Sequence, residues 1–278
     1  MSPILKEVDK KKTAALGFDC YDYKSIAWAI EAADELGLPV IIMLYPGLAG
    51  YCSIESFAAI AKAQAKKARV PVAIHLDHCD SFETILTAIK AGFTSVMIDG
   101  SKMDYEKNIA ITCEIVKAAH AMDVDVEAEL GKVGTASNTN DFLNENLYTT
   151  VAQAVDFVAK TKVDALAIAI GSAHGFYVET PHLSMTRLKE INQAIDTPLV
   201  LHGGTGIPAD QLKQSFKLGI NKLNIGTEYF ALYYSTMKDY QQLKDKKDDV
   251  FAFQDYQKNV VMNYLRNKIS LTIPDKKK

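Results

Sequence analysis

Three short segments place histidine beside carboxylate or glycine: His75-Leu76-Asp77-His78, Gly171-Ser172-Ala173-His174-Gly175 and His202-Gly203-Gly204-Thr205-Gly206. They hold four of the six histidines; only His120 and His182 lie elsewhere. Imidazoles from three separate segments, His78, His174 and His202, can converge and leave one coordination position open, which is the arrangement of catalytic rather than structural zinc. A lone histidine is more often a satisfied core or surface residue. Here all three recur beside acids and glycines, and that recurrence argues for a shared site. His75 is different, because strand alternation puts it on the same face as Asp77, where it reads as a packing or supporting residue. His120, at a helix end, and His182, after Pro181, read as structural.

The elements that must position these segments follow from an alternation of short β-branched runs with longer helical stretches, repeating about every thirty residues as βαβ units do. The strand candidates are Thr13 to Phe18, Pro39 to Leu44, Val70 to Asp77, Ser95 to Gly100, Val124 to Leu130, Ala165 to Gly171, Pro198 to Gly204 and Lys222 to Thr227. Between them Ser25 to Leu36, Ile54 to Lys67, Tyr105 to Ala121, Thr186 to Ala194 and Ala209 to Leu218 carry apolar residues at three- and four-residue spacing. Eight strands alternating with helices predict an α/β protein of the (β/α)₈ TIM-barrel type, and Val250 to Ile269 predicts an extra C-terminal helix outside it. A doubly wound open sheet would want a GxGxxG after its first strand, and none is there.

In such a barrel the carboxyl ends of the strands form the active site. That rim is loaded. Besides the histidines it receives Asp99-Gly100-Ser101, in which strand four ends, and Glu127-Ala128-Glu129-Leu130-Gly131, in which strand five ends. Asp99 and Glu129 have two readings of about equal weight. They form an accessory site for a cation, a monovalent ion included, or orient the zinc ligands; otherwise they belong to a buried polar network closing the barrel top. Gly203, Gly204 and Thr205 after strand seven, with Asn224, Ile225, Gly226 and Thr227 after strand eight, occupy the usual phosphate place of this fold. Glycines let backbone N–H groups approach an anion, and threonine hydroxyls can donate as well.

Composition excludes several classes. The chain has 278 residues, 48% hydrophobic and 23% charged, enough for one large barrel, and no Pro/Gly/Ser-rich linker divides residues 1–278, so one domain is expected. A net charge of -3 gives no broad basic field for nucleic acid, and Lys276, Lys277 and Lys278 read as a solvated tail. Met1 to Lys12 carries four lysines and no apolar core, unlike a signal peptide, and no run reaches membrane-spanning length. Cys20, Cys52, Cys79 and Cys113 form no CxxC pair, which suits free thiols in a reducing compartment, with the cytoplasm as default.

Through HLDH (75–78), MIDGS (97–101), VEAELG (126–131), IGSAHG (170–175), LHGGTGIP (201–208), NIGTE (224–228) and LRNKI (265–269), the chain resembles class II, zinc-dependent ketose-bisphosphate aldolases, especially the tagatose- and fructose-bisphosphate types, nearly end to end. The resemblance implies Asp77 as catalytic acid/base, His78, His174 and His202 as zinc ligands, and Gly175, Gly203, Gly204, Thr205 and 224–227 as contacts to dihydroxyacetone phosphate. It also implies a homodimer or homotetramer acting on a small sugar phosphate. Departures occur after strand one, where Phe18-Asp19-Cys20 replaces the family's usual Phe-Asn, and after strand four, where Ser101-Lys102 replaces Ser-His. The segment 132–141 lacks the acidic pair common there. These departures line the expected mouth and imply an altered choice of aldehyde.

The expected chemistry is cleavage of a phosphorylated ketose to dihydroxyacetone phosphate and an aldehyde, with zinc stabilising charge that develops on a carbonyl oxygen. A Schiff-base aldolase needs a desolvated lysine at a strand end. Lys222 is expected to open strand eight at the opposite rim, and Lys102 and Lys132 fall in loops. A zinc hydrolase would explain the histidines but not the Asp77-His78 pair, whereas a non-catalytic sugar-phosphate-binding relative, or an aldolase for another ketose 1-phosphate, would share the fold without the same reaction.

Overall fold

The computed structural model describes residues 1–274, so the tail Lys276–Lys278 lies outside the described residues. Eight parallel strands close into a barrel: β1 (Ala15–Asp19), β2 (Val40–Leu44), β3 (Val72–Cys79), β4 (Ser95–Ile98), β5 (Asp125–Leu130), β6 (Ala165–Ile168), β7 (Leu199–Leu201) and β8 (Ile220–Ile225). Each strand pairs with the next in sequence, and β8 returns to β1 through Ala15 opposite Lys222 and Gly17 opposite Asn224. The eight predicted strands are all present. Several are shorter than the sequence suggests, because Gly171, Gly203 and Thr227 belong to turns or to the next helix.

The helices are α1 (Ser2–Lys10), α2 (Tyr23–Leu36), α3 (Ile54–Ala65), α4 (Phe82–Ala91), α5 (Tyr105–His120), α6 (Thr139–Leu143), α7 (Val151–Thr161), α8 (Met185–Ala194), α9 (Ala209–Lys217), α10 (Thr227–Gln242) and α11 (Val250–Ile269). Local chemistry marks their ends. Asp22 and Ser25 form a capping box at the start of α2, and Gly37, at φ 66°, ends it in the left-handed conformation that glycine adopts without a Cβ penalty. α11 packs across α2 and α10, as expected of an added C-terminal helix.

Period-two alternation sorts each strand into two faces. Leu16, Phe18, Ile42, Leu76, Val96, Val126, Leu166, Leu201 and Leu223 point outward and pack in one apolar layer with the surrounding helices. The inward set begins apolar: Ala15, Ile41, Ala73, Ala165 and Val200 cluster with Ile4, Leu5 and Val8 of α1. α1, whose apolar residues recur at i, i+1 and i+4, therefore closes the amino-terminal end of the barrel. Toward the carboxyl end the same inward face becomes charged, with His75, Asp77, Glu127, Glu129, His202, Lys222 and Asn224 all at most 5% exposed. One end of the barrel is thus a hydrophobic plug and the other a buried polar layer.

Candidate active site

Asp19, Asp77, His78, Asp99, Glu129, His174 and Asn224 line a cleft of about 570 Å³ at the carboxyl rim, together with Gly175, Gly203, Gly204, Thr205, Gly226 and Thr227. Ile225 does not join them. Alternation turns its side chain outward into the helix-facing core, where it is fully buried. Of the remaining residues proposed to touch dihydroxyacetone phosphate, Gly203, Gly204, Thr205, Gly226 and Thr227 follow β7 and β8, Asn224 lies at the end of β8, and Gly175 comes from the loop after β6. Gly203 sits at φ 68°, and a Cβ there would stand 2.2 Å from the carbonyl oxygen of Ala173, so only glycine lets the loop after β7 lie against the loop after β6.

The three histidines converge. Ring centroids of His78 lie 4.8 Å from His174 and 4.5 Å from His202, and one nitrogen from each ring falls within 4.8 Å of the others. His78 takes a left-handed backbone (φ 45°) where the β3–β4 register shifts, which turns its side chain into the cleft just past Asp77. Its Nδ1 donates to Asp99 Oδ2 at 2.9 Å, leaving Nε2 bare; Asp99 is itself held by Ser101, whose Oγ donates at 2.6 Å. His174 comes from a two-residue strand, Ala173–His174, paired with Gly134–Thr135. Its Nε2 is buried and has no hydrogen-bond partner, and burial, reinforced by His78, pushes its pKa down to about 3. A neutral imidazole with an orphaned inward nitrogen is what a metal ligand requires.

His202 is engaged at both nitrogens: Nδ1 with Glu129 Oε2 at 2.7 Å and Nε2 with Glu127 Oε1 at 2.9 Å. Burial opposes its charge, yet the hydrogen bonds to the two carboxylates raise its pKa to about 10. Glu129 lines the cleft and Glu127 does not, so Nδ1 is the edge of His202 turned toward the open site. Glu127 also receives Lys222 Nζ at 2.7 Å. Burial alone would push the Glu127 carboxyl up; Lys222 and His202 hold it below the ordinary range.

This corrects the placement of Lys222. It is the third residue of β8, fully buried inside the barrel, rather than a residue at the opposite rim. The inward phase that it shares with Asn224 carries it beneath the site, where it neutralises Glu127 and does not reach the cleft. His75 is likewise internal, with Nδ1 on Ser95 Oγ at 2.8 Å and burial and Lys222 lowering its pKa to about 3. Glu127 and Lys222 are the members that sequence reasoning missed as a pair; the signal was their shared inward phase, on β5 and β8, which face each other across the barrel interior. His120 bonds Asp164 Oδ2, which also holds the Val126 N–H at the start of β5, and is structural as expected.

Asp77 Oδ1 accepts from Asn224 Nδ2 at 2.8 Å. Burial pushes the Asp77 carboxyl up, but His78, Lys222 and His202 outweigh it, so the group stays below its usual pKa and is an anion able to take a proton. Asp19, from the end of β1, is 8% exposed, and its Oδ1 is buried without a partner. Burial and the nearby Asp77 raise its pKa well above normal. Asp19, Ser101 and Lys102 line the mouth as expected, but Cys20 does not: it is buried, with Sγ directed back to the Phe18 carbonyl.

Residues 1–273 match the family model for class II fructose-bisphosphate aldolase. The chain belongs to the class II fructose-bisphosphate aldolase family. Among solved structures it is similar to the YdjI aldolase of Escherichia coli K12 (33% identity, TM-score 0.88, covering 99% of this chain and 97% of that one). It is also similar to a putative fructose-1,6-bisphosphate aldolase of Coccidioides immitis (26% identity, TM-score 0.86, 97% and 94% covered). Fructose-bisphosphate aldolase of Campylobacter jejuni, at 21% identity and TM-score 0.82 over 97% and 93%, shares the fold. This class II aldolase is thus a carbon–carbon lyase on a TIM barrel, and among its described residues no helix is long and apolar enough to cross a membrane.

Proposed function

We propose that this aldolase cleaves a ketose 1-phosphate or 1,6-bisphosphate of the tagatose or fructose type to dihydroxyacetone phosphate and an aldehyde, and that it depends on zinc. The carrying observation is the meeting of three imidazoles beside Asp77, with His174 Nε2 buried and unpaired. The donor set fits zinc, which favours neutral imidazole nitrogens and keeps a position open in catalytic sites. His78, His174 and His202 would hold it; Asp99 orients the His78 ring and Glu127, on Nε2, the His202 ring, while Glu129 holds the His202 nitrogen that the metal would take. When bound, the metal supplies Lewis acidity toward a ketose oxygen as negative charge develops there.

Asp77 takes the proton of the C4 hydroxyl. The O–H pair becomes the new carbonyl of the leaving aldehyde, the C3–C4 pair stays with the other half, and C3 takes up a proton to complete dihydroxyacetone phosphate. Asn224 fixes the Asp77 carboxylate for this transfer. The Gly204 N–H is spent on the Asn224 carbonyl at 3.0 Å, so the N–H groups of Gly203, Thr205, Gly226 and Thr227 hold the C1 phosphate and keep the reacting carbons in register with Asp77.

Residues 1–278 act as one domain in this reading, which the packing of α1 and α11 on a single barrel supports. Exposed Tyr234, Met237, Val250 and Phe251 on α10 and α11 favour assembly as a homodimer or homotetramer, to be measured by sedimentation. Four free cysteines favour a reducing compartment such as the cytoplasm.

The test incubates the zinc-loaded protein with hexulose 1,6-bisphosphates of all four C3/C4 configurations and with hexulose 1-phosphates, coupling product to glycerol-phosphate dehydrogenase. At least one should yield dihydroxyacetone phosphate. Cleavage that needs no C1 phosphate, or that yields pyruvate, overturns the reading.

A further inference from the structure

Two of the sequence motifs carry charged residues that the reaction above leaves unused: Glu228 closes NIGTE, and Lys268 lies in LRNKI. The fold brings them together across 40 residues of chain. Lys268 Nζ of α11 stands 2.7 Å from Glu228 Oε1 in the first turn of α10, with both side chains less than one-fifth exposed, at 19% and 17%. Glu228 is adjacent to Thr227, which lines the cleft, and its backbone N–H donates to Thr205 Oγ1 at 3.2 Å. The Glu228 backbone is therefore tied where the loops after β7 and β8 meet, one residue from the wall assigned to phosphate.

A carboxylate in the first turn of a helix is favourable by itself, because it meets the positive end of the helix dipole. Beside a bound phosphate it is unfavourable, since two anions at short range repel and the partly buried setting screens them poorly. Salt-bridging to Lys268 removes that conflict without removing Glu228. The cation comes from α11, the helix added outside the barrel, so a barrel without it would present an unneutralised acid at its anion site.

We propose that Lys268 is a positioning residue for substrate phosphate: its ammonium cancels the Glu228 charge at the junction of the two phosphate loops and so sets the affinity of that subsite. The inference rests on the proposed phosphate site. It makes the C-terminal helix part of substrate recognition, although no residue of α11 lines the cleft.

The experiment measures binding of inorganic phosphate by calorimetry to the purified full chain, and KM and kcat on the substrate found in the panel above, for Lys268→Met, Glu228→Gln, the double variant and Thr205→Val. Lys268→Met should weaken phosphate binding on the order of tenfold and raise KM in step, with kcat and zinc content within about twofold of native, the size expected when one member of a partly buried charge pair is removed. Glu228→Gln should bind phosphate more tightly than native, because Lys268 is then unopposed, and the double variant should return to within about threefold of native. A purely structural pair would lower the melting temperature of all three variants without this alternation of sign. Native phosphate affinity in Lys268→Met, or weaker binding in Glu228→Gln, overturns the proposal; the second result decides even if Lys268→Met does not fold. If Thr205→Val loses phosphate while Lys268→Met keeps it, only this inference fails. If the native chain binds no phosphate, the subsite itself is misplaced and the inference falls with it.

Discussion

Glu129 Oε2 lies 2.7 Å from Nδ1 of His202, on the edge of the ring that faces the cleft, while Glu127 holds the opposite nitrogen. A histidine clamped at both ends between carboxylates is an imidazolium. Its pKa, raised to about 10, keeps it protonated throughout the neutral range. A metal ligand must present a bare nitrogen, so His202, to hold zinc, would have to give up one of these two hydrogen bonds and the proton in it.

Zinc binding at pH 7 to 8 should therefore release at least one proton per chain. His174, held near pH 3, is already neutral and contributes none. Calorimetry in buffers of different ionisation enthalpy reads the number directly, and a slope of zero would show that His202 is not the protonated ligand described here. In Glu127→Gln the ring loses a charged partner, so proton release should diminish; zinc affinity should also fall by about 10- to 100-fold, as for other groups that orient a ligand.

Removing the metal should abolish cleavage. Dialysis against a chelator should leave an inactive protein, and zinc or cobalt should restore it at about one ion per chain. Full activity in the metal-free protein, or a substrate adduct trapped by borohydride, would falsify the metal mechanism. Lys222, sequestered on Glu127 below the cleft, offers no free amine for such an adduct.

Asp77→Ala should lower kcat by a factor on the order of 10² to 10⁴, the range for a positioned acid/base, with zinc content unchanged. His202→Ala should instead lose the metal first. Near-native turnover in Asp77→Ala would move the proton transfer to another group. Asn224, which holds Asp77 at 2.8 Å, should give a smaller loss on change to Ala, seen mainly in kcat.

Asp19 should govern the aldehyde half of the substrate. Its Oδ1 is a buried oxygen without a partner in a cleft wall close to Gly226, so a substrate group facing it gains by hydrogen bonding. Asp19→Asn should change the ratio of kcat/KM among ketoses that differ beyond C4 by about tenfold, while dihydroxyacetone phosphate remains the common product. An unchanged ratio across the panel would remove Asp19 from substrate recognition.

Leu5 of α1 is fully buried in the plug at the amino-terminal end of the barrel. Leu5→Ala should cost about 2–5 kcal/mol of stability in denaturant titration without altering kcat, because a cavity opens at the end remote from the cleft. A loss of turnover with stability intact would contradict that separation.

Much of this was written in local order. The eight strand runs, the helical spacing between them and the extra helix at Val250–Ile269 follow from periodicities of two and 3.6, which depend only on near neighbours in the chain. The convergence of His78, His174 and His202 was legible for the same reason: once strand ends are known, a closed barrel brings them to one rim. What periodicity cannot decide is pairing across the barrel. That Lys222 meets Glu127, 95 residues earlier, depends on which inward residues share a level, and this is set by strand stagger rather than by either segment alone. The same holds for α1, whose sequence told only of scattered lysines, since its apolar stripe has meaning only against the barrel end it covers. Sequence also left Ile225 and Cys20 among residues near the mouth. The structure turns both away, because a one-residue step along a strand moves a side chain from the cleft to the helix-facing core.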